Sequence, residues 1–259
     1  MANVNNSYQS DCIKKSAQDL EKQRDIFIST LTHDLKNPLQ AQISSMELLN
    51  SGMFGKLNDE QKEMLDLTIE SAKYMREMLC TILTTYKYEN GLIKLEKENF
   101  DVDKLIKICI RENYALAGEK KIKFIYNCDL KSEDKTLYGD KKQLRRVIGN
   151  IINNGISYAF PNTEFRINLK KKSKRIIFEF ENNSPMIDEK LECRLFEKYT
   201  SGSINGTNLN SGLGLYLSKR VVEAHNGRIY HTGSLNSNTF TFEIPQVTEN
   251  IKDNKYITW

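Results

Sequence analysis

The sequence predicts an α + α/β protein, in which a helical hairpin that pairs as a dimeric four-helix bundle precedes a two-layer α/β sandwich. Apolar residues recur at helical spacing up to about residue 95, with one break at residues 50–59. Beyond it, strand-like and helix-like segments are mixed. The length of 259 residues suits two such parts. We expect a helical domain at 1–95, a sandwich at 96–246 and a polar tail at 247–259.

The hairpin follows from two amphipathic segments. The first places apolar side chains on one side of a helix, with Leu39 and Ile43 at the border of the stripe. The stripe consists of Phe27, Leu31, Leu35, Pro38, Gln42 and Met46. The second segment has a near-heptad at Leu65, Thr68, Ala72, Met75, Leu79, Ile82 and Tyr86. A glycine stop follows in ENGL, residues 89–92. One hairpin cannot bury both stripes alone, so we expect a homodimer.

The second part predicts three helices interleaved with strands. The helices are VDKLIKICIRENYALAG, ending at Gly118; YGDKKQLRRVIGNIINNGISYAF, with Asp140 as N-cap; and SGLGLYLSKRVVEAHNG, stopped by Gly227. KIKFIYNCDL alternates like a strand, TEFRINLKKKSKRIIFEFENN predicts two strands around a basic turn, and GRIYHTGSLNSNTFTFEIP predicts a closing hairpin. Helices combined mainly with hairpins indicate a two-layer sandwich.

Composition excludes several classes of protein. The net charge is only +4, and no aromatic-rich basic patch accompanies the basic cluster at residues 170–175, so we expect a solvated turn and no nucleic-acid binding. The five cysteines contain no CxxC pair, which argues against a disulfide framework or a zinc site and favours a cytoplasmic setting. No apolar run approaches the ~20 residues that a transmembrane helix needs.

His33 is the first candidate functional residue. At about 100° per residue, His33 lies at about 240° from Phe27 and Asn37 at about 280°, whereas the apolar stripe centres near about 60°. Both side chains should therefore face water. A carboxylate such as Asp34 can hold the proton on one ring nitrogen, which leaves the other nitrogen as a nucleophile. On this geometry alone, an idle surface histidine remains an alternative.

Two features of the second part suit a phosphate ligand. Asn150 and Asn154 share one face of a helix, where amides can coordinate a metal or bind phosphate through water, or be ordinary surface residues. Gly212 and Gly214 open a helix, where the backbone can approach an anion and free N–H groups face it. A glycine pair alone is weak evidence, because glycine-rich turns are common.

Four motifs in order carry a more specific signal: His-Asp-x-Lys-Asn-Pro-Leu, Asn-Ile-Ile-Asn-Asn-Gly-x-x-Tyr, Leu-Phe-Glu-Lys-Tyr and Gly-Leu-Gly-Leu. They resemble those of the sensor histidine kinases of bacterial two-component systems, over residues 20–246. The resemblance implies a dimerising phosphotransfer hairpin and an ATP-binding sandwich of the GHKL or Bergerat type. It further implies phosphoryl transfer from Mg-ATP to the histidine, and then to an aspartate in the receiver domain of a separate response regulator.

The resemblance also assigns a role to each matching residue. In the hairpin, His33 is the phosphoacceptor, Asp34 its polarising neighbour, and Asn37 the residue that orients water during dephosphorylation of the partner. In the sandwich, Asn154 is expected to hold Mg²⁺. The other expected nucleotide-binding residues are Asn150, Tyr158 beside the adenine, Asn182, Phe196 as the anchor of a lid at 200–211, Lys198 as a substitute positive charge, and Gly212, Leu213 and Gly214 under the triphosphate.

Some positions depart from the family pattern. Asn182 replaces an aspartate that accepts a hydrogen bond from the adenine amino group, and Ser184 and Met186 follow in place of glycines. Met186 is expected to narrow the base pocket. Ser157 replaces a lysine that often supports the phosphates, and Ser201 stands near a usual arginine. We therefore expect weaker ATP affinity. Two alternatives stay open: a scaffold or phosphatase with a degraded nucleotide site, and a chaperone-, mismatch-repair- or topoisomerase-type ATPase of the same superfold.

Overall fold

The computed structural model describes residues 30, 34–91, 93–200, 203–204, 207–208 and 212–246. Its internal contacts divide the chain into two compact units, Met1–Lys87 and Tyr88–Trp259. Helices precede a mixed α/β sandwich, so the predicted fold class is confirmed, whereas the pairing of the hairpin into a dimeric bundle remains a prediction. The finer domain limits remain predictions. None of the described helices has a stretch that is long and apolar enough to cross a membrane.

The first unit is a helical hairpin. Helix α1 covers residues 34–50 and helix α2 covers Asp59–Glu89, whose last two residues belong to the second unit. A reciprocal cap begins α2, because the Gln61 N–H donates to Asn58 Oδ1 over 2.7 Å and the Asn58 N–H donates to Gln61 Oε1 over 3.0 Å. After α2, Gly91 takes a left-handed φ of 64°, so the predicted glycine stop is confirmed.

The buried face of the hairpin differs from the predicted stripes. Ile43, predicted at the border, is only 1% exposed, whereas Leu35 is 50% exposed. On α2, Ile69 is buried, while Met75 and Ile82 are 51% and 46% exposed. The reason is geometric: one hairpin buries only the faces that its two helices turn toward each other. Helix α2 therefore keeps apolar side chains, including Met75 and Ile82, on a second face at its surface.

The second unit contains most of the secondary structure. Its strands are β1 (Glu98–Asp101), β2 (Lys123–Cys128), β3 (Thr136–Gly139), β4 (Glu164–Lys172), β5 (Arg175–Asn182), β6 (Ser203–Ile204), β7 (Thr207–Asn208), β8 (Arg228–Ser234) and β9 (Ser237–Pro245). Its helices are α3 (Val102–Glu112), α4 (Tyr114–Glu119), α5 (Lys141–Tyr158), α6 (Glu189–Glu192) and α7 (Gly214–Ala224), with a 3₁₀ turn at Ser132–Asp134.

A five-stranded sheet forms one layer of the sandwich. The strand order is β2-β4-β5-β9-β8, in which β2 and β4 run parallel and the other neighbours antiparallel. Phenylalanines of β4, β5 and β9 pack against the apolar faces of α3, α5 and α7 in one core. The predicted hairpins β4–β5 and β8–β9 are confirmed. The sequence did not predict the two-stranded sheet of β1 and β3.

Helix α5 begins as predicted. Asp140 is its N-cap, and its Oδ1 accepts a hydrogen bond of 3.0 Å from the Gln143 N–H. The Asp140 N–H in turn donates to His225 Nε2 over 2.9 Å, which ties the start of α5 to the end of α7. These contacts fix the register of the helix that carries the candidate asparagines.

Two helix boundaries differ from the prediction. The helix expected to run to Gly118 is interrupted at Asn113, whose buried Nδ2 donates to the carbonyl oxygen of Cys109 over 2.8 Å. Helix α7 ends without a left-handed glycine, because Asn226 takes the positive φ of 56°. Gly227 serves a different purpose: a Cβ there would lie 2.4 Å from a carbonyl oxygen of β9.

Candidate functional site

The hairpin carries the predicted phosphotransfer residues. His33 lies outside the described residues, so its orientation stays a prediction. Asp34 and Asn37 lie at the described start of α1, and both are exposed. The predicted exposure of Asn37 is therefore confirmed, whereas the catalytic roles of all three remain predictions.

In the second unit, α5 brings three predicted residues onto one face. Asn150, Asn154 and Tyr158 follow each other at intervals of one helical turn, and all three are half-buried. Ile151 and Ile152 between them are buried in the core. The polar face therefore lies along the margin of the core, where a ligand can reach it.

Asn150 ties α5 to the first turn of α7. Its Nδ2 donates to Ser218 Oγ over 3.0 Å, and the Ser218 hydroxyl donates to the Gly214 carbonyl oxygen over 2.9 Å. A Cβ on Gly214 would lie 2.3 Å from Asn150 Oδ1, so only glycine permits this approach. Asn150 is therefore not an ordinary surface asparagine.

The N-terminus of α7 is open to an anion. Leu213 is its N-cap residue and makes no side-chain cap, so the N-cap side chain leaves the first N–H groups of this 11-residue helix to other acceptors. The Leu213 side chain itself is buried, which leaves only its backbone for a ligand. Gly212 has a φ of 69°, and a Cβ there would lie 2.5 Å from the carbonyl carbon of Tyr199. The predicted lid at 200–211 lies mostly outside the described residues.

Asn182 lies at the end of β5 and is almost fully buried. Its Nδ2 donates to the Gly155 carbonyl oxygen over 3.0 Å. Because a carbonyl oxygen only accepts, this contact fixes the orientation of the amide and leaves Oδ1 as the group that can accept from a ligand. A carboxylate could not make this bond.

A chain of hydrogen bonds holds the segment after β5. Asn238 Nδ2 donates to Ser184 Oγ over 2.6 Å and to the Pro185 carbonyl oxygen over 2.8 Å. Asn238 Oδ1 lies 2.9 Å from His231 Nε2, and His231 Nδ1 lies 2.8 Å from Glu192 Oε1. Sequence spacing could not predict this support, because its members come from α6 and the closing hairpin, which are distant in the chain from Ser184 or from each other.

Two further substituted positions are Met186 and Ser157. Met186 is 60% exposed, so its side chain is not packed into the core beside Asn182, and the expected narrowing of the base pocket stays a prediction. The ammonium of Lys120 bonds the carbonyl oxygens of Ser157 and, over 3.0 Å, Ile156, and burial lowers the pKa of Lys120. A positive charge thus caps the end of α5, although Ser157 replaces a lysine.

Two predicted residues precede the lid segment. Phe196 packs edge-on against Phe240, with ring centroids 6.5 Å apart, as an anchor should. Lys198 forms an ion pair with Glu89 and lies 5.5 Å from the ring centroid of Tyr216. In this arrangement the Lys198 ammonium is engaged by a carboxylate of the protein, which the sequence analysis did not foresee.

Two family models match the chain. The His Kinase A (phospho-acceptor) domain matches residues 23–91, and the histidine kinase-, DNA gyrase B- and HSP90-like ATPase matches residues 139–248. Solved structures share the fold: full-length ShkA in complex with AMPPNP has a TM-score of 0.70 at 21% identity, covering 86% of this chain and 46% of that one. The histidine kinase ThkA in complex with the response regulator protein TrrA has a TM-score of 0.54 at 20% identity, covering 83% and 61%.

Curated relatives agree with these matches. The chain is 26% identical to the circadian input-output histidine kinase CikA of Synechococcus elongatus, over 86% of this chain and 30% of that protein. It is also 26% identical to the sensor histidine kinase YvrG of Bacillus subtilis, over 87% and 39%. The chain thus spans well under half the length of these relatives. With both domains matched in order, this chain belongs to the sensor histidine kinases.

Proposed function

We propose that the chain is an ATP-dependent protein-histidine kinase that phosphorylates its own His33. The phosphoryl group would then pass to an aspartate of a cognate response regulator, and the protein could also act as the regulator's phosphatase through Asn37. The observation that carries this proposal is the uncapped N-terminus of α7, which Asn150 and Gly214 join to the polar face of α5.

The residues present fit a nucleotide. The α7 N–H groups and its dipole favour a triphosphate, and the missing Cβ at Gly214 lets the Asn150 amide lie directly beside this turn. The Oδ1 of Asn182 can accept from an exocyclic amino group, with Tyr158 one turn beyond Asn154 as the aromatic neighbour of the base.

A magnesium ion fits only together with the nucleotide. Among the described residues, no group of three or more His, Cys, Asp or Glu side chains could hold a metal. The amide oxygen of Asn154 is a single neutral ligand, and Mg²⁺ typically takes one or two protein ligands and keeps phosphates and water as the others. We therefore propose that Asn154 binds a Mg²⁺ that the nucleotide brings with it.

The chain's own residues would contribute mainly positioning and charge. Mg-ATP supplies the phosphoryl group when bound, while the α7 N–H groups hold its phosphates and Asn182 its base. At the acceptor, Asp34 would keep one nitrogen of His33 protonated so that the other attacks. In a separate hydrolytic reaction, Asn37 would orient the water that removes the phosphoryl group from the regulator's aspartate as inorganic phosphate.

The proposed assembly is a cytoplasmic homodimer that docks a receiver domain. The exposed apolar residues Met75 and Ile82 on α2 support pairing, because a surface stripe at heptad spacing is what a four-helix bundle buries. ThkA has been solved with a response regulator, which supports the same kind of partner here.

Labelled ATP tests the proposal. Incubation with γ-labelled ATP and Mg²⁺ should give an acid-labile, base-stable label on the wild-type chain and none on His33→Gln. The phosphorylated protein should then pass its label to one member of a panel of purified regulators. ATP turnover that persists in His33→Gln, with no labelled protein, would instead indicate another ATPase of the superfold.

The substituted nucleotide residues favour a second candidate, a scaffold or phosphatase. Asn182, Ser184 and Ser157 replace residues that the family usually employs for the base and the phosphates. If the chain takes no label but still dephosphorylates a regulator, and Asn37→Ala abolishes that activity, this second function holds.

A further inference from the structure

Glu89, the last residue of α2, belongs to the second unit and binds two residues near the candidate phosphate site. The Tyr216 hydroxyl donates to Glu89 Oε1 over 2.5 Å. The Lys198 ammonium pairs with the same oxygen and lies over the Tyr216 ring. Glu89 is thus the acidic member of a compact cluster that otherwise carries positive charge.

The electrostatics of the cluster keep Glu89 and Lys198 ionised. Burial works against the charge of Glu89, but hydrogen bonds from Lys198 and Tyr216 outweigh it and lower the Glu89 pKa. The hydrogen bond to Glu89 raises the pKa of Lys198. Arg220 adds a second cation, since its Nε donates to the Tyr216 hydroxyl over 3.2 Å. Glu89 therefore neutralises part of the positive charge beside α7.

The cluster lies beside the N-terminus of α7, so the charge that Glu89 neutralises is close to the proposed triphosphate site. Tyr216 lies in the first turn of α7, whose uncapped N-terminus is the proposed triphosphate site. The backbone of Tyr199, the residue after Lys198, packs directly against Gly212. The Lys198 ammonium is therefore held beside that turn, and its side chain is long and flexible enough to turn toward an anion there.

We propose that Glu89 competes with the phosphates of the nucleotide for Lys198, and so sets the affinity of the site from the end of α2. The Lys198 ammonium can pair with the Glu89 carboxylate or with the bound triphosphate. When it pairs with one of them, its attraction to the other is lost. Glu89 is a positioning residue in this scheme, because it acts through Lys198. The inference rests on the proposed function, since it requires ATP to bind at α7.

The test compares Mg-ATP dissociation constants of the full chain and its variants by calorimetry. Glu89→Gln should tighten binding roughly twofold to fivefold, as expected for loss of one competing, partly exposed ion pair. The gain should vanish in the Glu89→Gln/Lys198→Gln double variant when it is compared with Lys198→Gln alone. It should also shrink as salt is added. Glu223→Gln is the matched control: it removes a carboxylate that pairs with Arg220, and should leave affinity unchanged.

Binding of adenosine distinguishes the contribution of the phosphates to affinity from that of the base. Adenosine lacks the triphosphate, so Glu89→Gln and wild type should bind it equally. An unchanged or weaker affinity of Glu89→Gln for Mg-ATP, a gain that persists without Lys198, or an equal gain with adenosine each overturns the inference. Failure of the proposed function looks different, because the wild-type chain itself would then bind no Mg-ATP.

Discussion

The side-chain amide of Asn182 donates a 3.0 Å hydrogen bond to the main-chain carbonyl oxygen of Gly155. The contact joins the end of β5 to α5 in a buried position. Gly155 is itself required there, since a Cβ would lie 2.1 Å from the ring of Phe165. Asn182, which replaces the aspartate usual in the family, is therefore built into the packing of this sandwich.

Restoring the family's aspartate should harm the protein. Asn182→Asp places an acceptor against the Gly155 carbonyl oxygen, so we expect a loss of about 1–3 kcal/mol in the free energy of unfolding at neutral pH. A protonated carboxyl could still donate, so the loss should shrink as the pH falls toward about 4. Urea unfolding measures both effects, and Asn183→Asp is the control of equal charge. Equal stability of Asn182→Asp and wild type would contradict the structure.

The approach of α5 to α7 predicts an intolerant glycine. Gly214→Ala should cost about 1–3 kcal/mol of stability, because its Cβ would lie 2.3 Å from Asn150 Oδ1. Mg-ATP affinity should fall as well, since the first turn of α7 must move. Gly149→Ala on α5 is the matched control: its Cβ meets nothing within 4 Å, and loss of a helical glycine should stabilise by about 0.5–1 kcal/mol. Equal changes in stability for Gly214→Ala and Gly149→Ala would mean that Gly214 does not lie close to Asn150.

The exposed stripe of α2 predicts dimerisation. Ile82→Glu and Met75→Glu should each weaken the dimer, because a charge would be buried in the proposed bundle. Light scattering after size exclusion should then show a shift toward the monomer at micromolar concentration. Tyr74→Glu alters a side chain of similar exposure that lies elsewhere on the helix surface, and it should leave the dimer intact. A wild-type chain that is monomeric at these concentrations would refute the proposal.

Local sequence signals account for much of the fold. Asp140 caps α5 as predicted, and the β4–β5 hairpin follows its alternating pattern, because both depend on residues close in sequence. Asn113 could not be predicted as a break, since its neighbours keep helical spacing and only its buried amide interrupts the helix. The pairing of β1 with β3 involves two four-residue strands, which are too short to give a periodic signal.

In the candidate site, too, local features could be predicted from the sequence and long-range contacts could not. Spacing placed Asn150 and Asn154 on one helix face, and the glycines at the start of α7, because helical geometry is local. The ion pair between Lys198 and Glu89 depends on tertiary packing, because the two residues are far apart in the chain. Glu89 and Tyr216, the other pair in this cluster, lie 127 residues apart. The support that Asn238 gives to Ser184 is equally non-local. Sequence spacing could therefore locate the candidate nucleotide-binding residues but not the residues that hold them in place.

His225 predicts a pH dependence of stability. Burial lowers its pKa, and its ring is used in the neutral form, because Nδ1 lies 2.7 Å from the Val221 carbonyl oxygen while Nε2 accepts the Asp140 N–H. A folded pKa below the unfolded value of about 6.5 means that the unfolded state binds more protons below this pH. The stabilisation is therefore complete above about pH 6.5 and declines as the pH falls.

Urea midpoints at several pH values would measure this decline. The wild-type chain should lose stability between about pH 7 and pH 5, because a protonated Nε2 would face the Asp140 N–H with a second donor. His225→Gln should be less stable at neutral pH, since it loses this packing, and should have a flatter profile over the same interval. A slope that is the same in the wild type and in His225→Gln would show that another group titrates.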